Sequence, residues 1–94
     1  MLYLVFKSSI KTDITLELVD YIVSNDVVVF IEDGVYNILN NSLLHKLLAK
    51  TDYIYFLEND VIARGLMPKI KDNALINYLD LVTLTEKNSQ IISW

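Results

Sequence analysis

Val27-Val28-Val29-Phe30-Ile31-Glu32-Asp33-Gly34-Val35 is the stretch on which the fold turns. Five consecutive apolar residues rich in β-formers read as a strand buried on both faces, since a strand with one wet face alternates apolar and polar positions. Gly34, after two acidic residues, turns the chain. Leu2-Tyr3-Leu4-Val5-Phe6 upstream has the same character, and both runs read as central parallel strands. Between them Ile14, Leu18, Tyr21 and Ile22 recur at helical spacing, with Asp13 placed as N-cap and Ser24-Asn25 as the stop. The result is a strand-helix-strand unit.

Downstream the pattern repeats. Val35, Ile38 and Leu39 form a short helical face that Asn40-Asn41 breaks, and Ser42 is placed to cap a second short helix carrying Leu43, Leu44, Leu47 and Leu48. Tyr53-Ile54-Tyr55-Phe56-Leu57 is the third strand. Asp60 then caps a brief helix through Ile62 and Ala63 that ends at Gly65, where a left-handed residue is easiest for glycine, and Pro68 prevents continuation. Ala74-Leu75-Ile76 is a weak fourth strand. A last helix from Leu79 or Asp80 presents Val82, Leu84 and Leu81, and Ile91-Ile92 adds an edge strand or packs down. Alternation at this spacing predicts an α/β fold: a small, mostly parallel sheet of four to five strands with helices on both faces, residues 1–94 forming one domain.

Composition narrows the function. The 94 residues are 53% apolar, too hydrophobic for a disordered segment, and that much apolar content in so short a chain favours a buried partner surface. Eight basic against twelve acidic residues give a net charge of −4, which disfavours direct binding to nucleic acid or to an anionic membrane. The apolar runs Leu2 to Phe6 and Val27 to Ile31 fall far short of the roughly 18 to 20 residues that cross a bilayer. Lys7-Ser8 stops the first run too early for a signal peptide, so a cytoplasmic protein is expected. There is no cysteine, which removes disulfides, thiolate metal sites and thiolate nucleophiles together. No glycine-rich phosphate cradle occurs, and no cofactor or metal is called for.

In parallel sheets ligands gather outside the carboxyl ends of the strands. Lys7 to Ser9, Glu32 to Gly34, Glu58 to Asp60 and Asn77-Tyr78 therefore mark the edge where chemistry is to be sought. Asp33 and Asp60, with Glu32, Glu58 and Arg64 near the same rim, have the oxygen donors of an acid/base pair or a Mg²⁺ site. Capping outweighs this, because a carboxylate at a helix start accepts backbone N–H bonds, worth roughly 0.5 to 2 kcal/mol. Arg64 is read as the ion-pair partner of a rim carboxylate. His45, the only histidine, has no second ligand nearby and is expected as a solvent-facing or partly packed residue of its helix.

Met1-Leu2 opening into strand one, Asp33-Gly34-Val35 after strand two, Asp60-x-x-Ala63-Arg64-Gly65-Leu66 after strand three, Val82-x-Leu84-Thr85 and the closing Ser93-Trp94 together resemble the TusB/DsrH family of sulfur-relay proteins. The resemblance covers essentially the whole chain. It implies a DsrE/F/H-like fold and a place beside TusC-like and TusD-like sister subunits. In that family's pathway a persulfide passes from a TusA-like donor through the TusD-like subunit to a TusE-like acceptor, and finally to 2-thiouridine at the tRNA wobble position. By the same resemblance Asp33, Gly34, Asp60, Arg64 and Gly65 are the recurrent rim positions, structural or interfacial, with no catalytic residue among them.

Some DsrH-type members of sulfur-oxidising organisms carry a cysteine of their own, and this sequence has none. A thioether has no ionisable hydrogen, so neither Met1 nor Met67 can hold the relayed sulfur. The expectation is a non-enzymatic, architectural subunit, with Trp94 anchoring the C-terminus. The alternatives are a stand-alone homo-oligomeric relative, a subunit of a DsrEFH-like complex in sulfur oxidation, or a small enzyme or anion-binding module using Asp33, Asp60 and Arg64.

Overall fold

The apolar runs become neighbours in one sheet. In the computed structural model, which describes residues 1–8, 14–71 and 74–94, the strands are β1 (Leu2–Val5), β2 (Val27–Phe30), β3 (Tyr53–Leu57), β4 (Leu75–Ile76) and β5 (Ile91–Ser93). Their order is β4-β3-β2-β1-β5, and every pairing is parallel. The helices are α1 (Ile14–Tyr21), α2 (Asn41–Leu48), α3 (Glu58–Ala63) and α4 (Tyr78–Lys87), with 3₁₀ segments at Glu32–Leu39 and Met67–Lys69. This is the α/β architecture expected, with all five strands parallel. Asp13 lies outside the described residues.

Topology decides which face each helix covers. From β1 to β4 the chain steps one strand at a time in one direction, which keeps successive crossovers on one side. There Tyr3, Val5, Val28, Phe30, Ile54 and Phe56 pack under Leu18 of α1, Ile22 just beyond it, Leu43 and Leu47 of α2, Val35 and Val61. The rings of Phe30 and Phe56 stack with centroids 5.0 Å apart. From β4 the chain reverses to reach the far side of β1, so α4 crosses the opposite face, over Leu2, Val27, Val29, Ile31, Leu57 and Ile76.

On α4 the side chains that meet the sheet are Leu81 and Leu84. Val82, expected inward, is 49% exposed instead, because the helix begins at Tyr78 under a capping box in which the Asn77 and Asp80 side chains each bond the other's backbone N–H. Trp94 ties down the end of β5: its N–H donates to the Leu4 carbonyl at 2.7 Å, its carbonyl accepts from Phe6 N–H at 3.0 Å, and its ring lies 5.6 Å from that of Tyr21.

Two expected caps are corrected. Asn40, not Ser42, caps α2, its side chain accepting from Leu43 N–H at 3.1 Å, because the helix starts two residues earlier than the leucine spacing implies. The segment expected to present Val35, Ile38 and Leu39 as one helical face is a 3₁₀ helix; with three residues per turn Leu39 leaves that face and is 49% exposed.

Candidate functional site: the rim at the carboxyl ends of the strands

A parallel sheet sends every strand out at the same edge, so Lys7-Ser8, Glu32 to Gly34, Glu58 to Asp60 and Asn77 all lie there, as the strand order requires. The segment after β2 shapes it. Glu32 has φ 50°, in the left-handed region, which turns the chain sharply as it leaves the sheet. Two residues on, a side chain at Gly34 would overlap the Val5 carbonyl oxygen and stand 2.8 Å from its carbon. Only glycine lets this turn seat against the end of β1. Asn37, fully buried, locks the turn from within by donating to the carbonyls of Gly34 and Lys7, both at 2.9 Å.

Asp60 was expected to cap its own helix. Because α3 begins at Glu58, Asp60 is its third residue, and its Oδ2 instead accepts the Glu32 N–H at 2.7 Å. It caps across the sheet, fastening the β3 exit to the β2 exit. Asp33 is likewise inside its 3₁₀ segment, second after Glu32, rather than its cap. Its Oδ1 accepts from Arg64 Nε at 3.2 Å and Nη2 at 3.1 Å, while Arg64 Nη1 lies 3.5 Å from Asp60 Oδ1. The guanidinium also lies 6.0 Å from the centroid of the Tyr36 ring. Arg64 is the ion-pair partner expected of it, shared between two carboxylates. Gly65 follows with φ 68°, closing α3 in the left-handed conformation that glycine adopts freely.

The five rim residues thus form one clamp. Asp33 and Gly34 belong to one strand exit, Asp60, Arg64 and Gly65 to the next, and the bonds of Asp60 to Glu32 N–H and of Arg64 to Asp33 join the two segments. Among the described residues no three of the side chains His, Asp and Glu come together to hold a metal, and a concavity of about 500 Å³ is lined by other residues, around Ile38, Tyr53 and Lys71. The carboxylates are occupied in holding backbone and arginine. His45 is exposed on α2, as expected. Sequence reasoning missed Tyr36 and Asn37, and placed Glu32 at the rim without its left-handed turn. An asparagine three residues beyond a turn glycine was the available signal for Asn37; nothing in the residue type announces a left-handed glutamate.

A family model described as "DsrH like protein" matches residues 7–91. Protein TusB of Yersinia enterocolitica is 41% identical over 96 residues, with 100% of both chains covered. Protein TusB of Yersinia pestis and of Yersinia pseudotuberculosis are each 40% identical, also with 100% of both chains covered. No helix among the described residues is long and apolar enough to cross a membrane.

Proposed function

This chain belongs to the DsrH/TusB family, and from that membership we propose that it is a non-catalytic subunit of a TusBCD-like sulfur-relay assembly that supports 2-thiouridine formation at the tRNA wobble position. The observation that carries the reading is a full-length match to TusB proteins in a sequence without a single cysteine. A persulfide needs a thiol to form on, so the relayed sulfur rides on a companion chain. TusC-like and TusD-like sisters are the companions, the TusD-like one receiving sulfur from a TusA-like donor and passing it to a TusE-like acceptor, in the cytoplasm.

Its contribution is shape and buried area. Tyr78, Leu79 and Val82 turn outward from α4 with exposures of 55%, 75% and 49%, and Ile62 on α3 adds 57%. Side chains of this kind gain by burial against a partner, about 25 cal/mol for each Å² removed from water. Asp33, Gly34, Asp60, Arg64 and Gly65 keep the rim rigid so that a sister subunit meets a fixed surface. The missing cysteine favours tRNA thiolation over sulfur oxidation, some of whose DsrH-type members carry one.

The test is co-expression with the neighbouring open reading frames, affinity purification at physiological salt and native mass measurement. Co-purification of two α/β sisters is expected, and deletion of the gene lowers thiolated wobble uridine in nucleoside mass spectrometry of bulk tRNA. Purification without either sister, together with unchanged thiolation, overturns the reading.

A further inference from the structure

β5 ends the sheet on the side opposite β4, and among the described residues no strand lies beyond it. Its backbone is half used. The Gln90 carbonyl accepts from Leu2 N–H at 3.1 Å, Trp94 N–H donates to the Leu4 carbonyl, and the Trp94 carbonyl accepts from Phe6 N–H, so the even-numbered residues turn toward β1. Successive residues of a strand direct their backbone groups to opposite sides, which leaves the N–H and C=O of Ile91 and Ser93 pointing outward. Both residues are exposed, Ile91 at 45%. They lie level with Leu2 and Leu4, below the rim where β1 leaves the sheet.

Edge strands are commonly guarded by a lysine, a proline or a bulge, and the sequence gives this one neither of the first two. Residues 88–94, Asn-Ser-Gln-Ile-Ile-Ser-Trp, hold no charged residue, proline or glycine. On the α1 side the Tyr21 ring, 61% exposed, stands against Trp94 beside the edge. A chain carrying −4 repels its own copies, but at β5 two copies can approach with no charged side chain of either strand opposed.

We propose that two copies of this chain pair through β5, antiparallel, about a two-fold axis at Ile92. The pattern is self-complementary. Ile91 of each copy faces Ser93 of the other and exchanges both backbone bonds with it, while Ile92, whose backbone groups turn to β1, meets its counterpart as a non-hydrogen-bonded pair with Cα atoms about 4.5 Å apart. The chain bends at Ser89, which confines the pairing to Ile91–Ser93 and so selects Ile92 as its centre. So short a contact buries less than the roughly 800 Å² per copy of a stable dimer, and the association is accordingly weak and reversible. The inference stands independently of the sulfur-relay role.

The test uses the full chain. Sedimentation equilibrium should show dimer growing in between about 10 and about 500 µM, with amide signals of the ¹⁵N-labelled protein shifting over the same range at Ile91 to Ser93. Ser93→Pro removes an outward N–H and no bond to β1, and weakens dimerisation at least about tenfold; Ile91→Lys, which sets like charges across the axis, gives the same direction should proline disturb folding. Because the chain has no cysteine of its own, Ile92→Cys supplies a covalent readout: it forms a disulfide-linked dimer under mild oxidation, whereas Ile62→Cys, exposed on α3, links at least about tenfold more slowly. A chain that stays monomeric to about 500 µM, a dimer indifferent to both edge substitutions, faster linkage through Ile62→Cys, or shifts at Ile91 to Ser93 that need an added sister subunit would each overturn the proposal.

Discussion

Replacing Asp60 with alanine removes the fastening between two strand exits, and its cost follows from the contacts. The carboxylate accepts the Glu32 N–H at 2.7 Å and lies 3.5 Å from Arg64 Nη1, with its side chain 17% exposed. A hydrogen bond to a charged group contributes about 1.5–3 kcal/mol, and the lower half applies where water can reach the abandoned N–H, as it can at Glu32. The ion pair to a partly exposed arginine adds at most about 0.5 kcal/mol after screening. Asp60→Ala is therefore expected to cost about 2 kcal/mol, which lowers Tm by roughly 8–16 °C in a chain of this size. Asp60→Asn keeps an acceptor oxygen but not the charge and should lose about 1 kcal/mol. Thermal and urea unfolding followed by circular dichroism measure both. The two residues also couple: in a Glu32→Gly background, where the turn no longer needs holding, the Asp60→Ala penalty should shrink by about 0.5–1 kcal/mol. A loss under about 0.5 kcal/mol, or an asparagine variant as damaged as the alanine one, would refute the cross-strand cap.

Glu32→Gly on its own should stabilise by about 0.5–1 kcal/mol, because relief of a left-handed glutamate, about 1–2 kcal/mol, exceeds the entropy cost of glycine; urea midpoints check it. Gly34→Ala drives a methyl group into the Val5 carbonyl and should cost at least about 3 kcal/mol, seen as loss of soluble protein on expression. Burial pushes the Tyr3 phenol above its usual value of 10.0, with the Asp26 carboxylate adding to the rise. The unfolded chain therefore sheds that proton first, so the phenol's contribution is complete below pH 10.0 and is lost above it. Tyr3→Phe should flatten the fall in urea midpoint between about pH 9 and about pH 11, and an unchanged slope would count against the buried phenol as its source.

The three central strands were legible because burial on both faces leaves nothing to hide: Leu2 to Phe6, Val27 to Ile31 and Tyr53 to Leu57 are apolar without interruption. The rim was legible in membership but not in wiring. Asp33, Asp60 and Arg64 could be placed at one edge from strand order, yet local spacing made Asp60 a cap of its own helix, when the bond it makes spans 28 positions. Such a bond leaves no periodic trace. The left-handed Glu32 was equally silent, since its conformation is imposed by Gly34 seating on β1 and by the Asp60 carboxylate. Helix α4 misled in a different way: apolar residues occupy both its inner face, Leu81 and Leu84, and its outer one, Leu79 and Val82, so periodicity alone did not say which face meets the sheet.

The place of β5 in the sheet sets a timetable for synthesis. Leu2 pairs with Ile91 and Leu4 with Ser93, so β1, made first, takes as its outer neighbour the strand made last of the five. While the ribosome works through everything between, β1 presents a bare edge to solvent, and the same is true of every nascent copy on a polysome. A chaperone or a companion polypeptide translated nearby has that interval in which to engage it, and a stall before Gln90 leaves the sheet permanently open on that side.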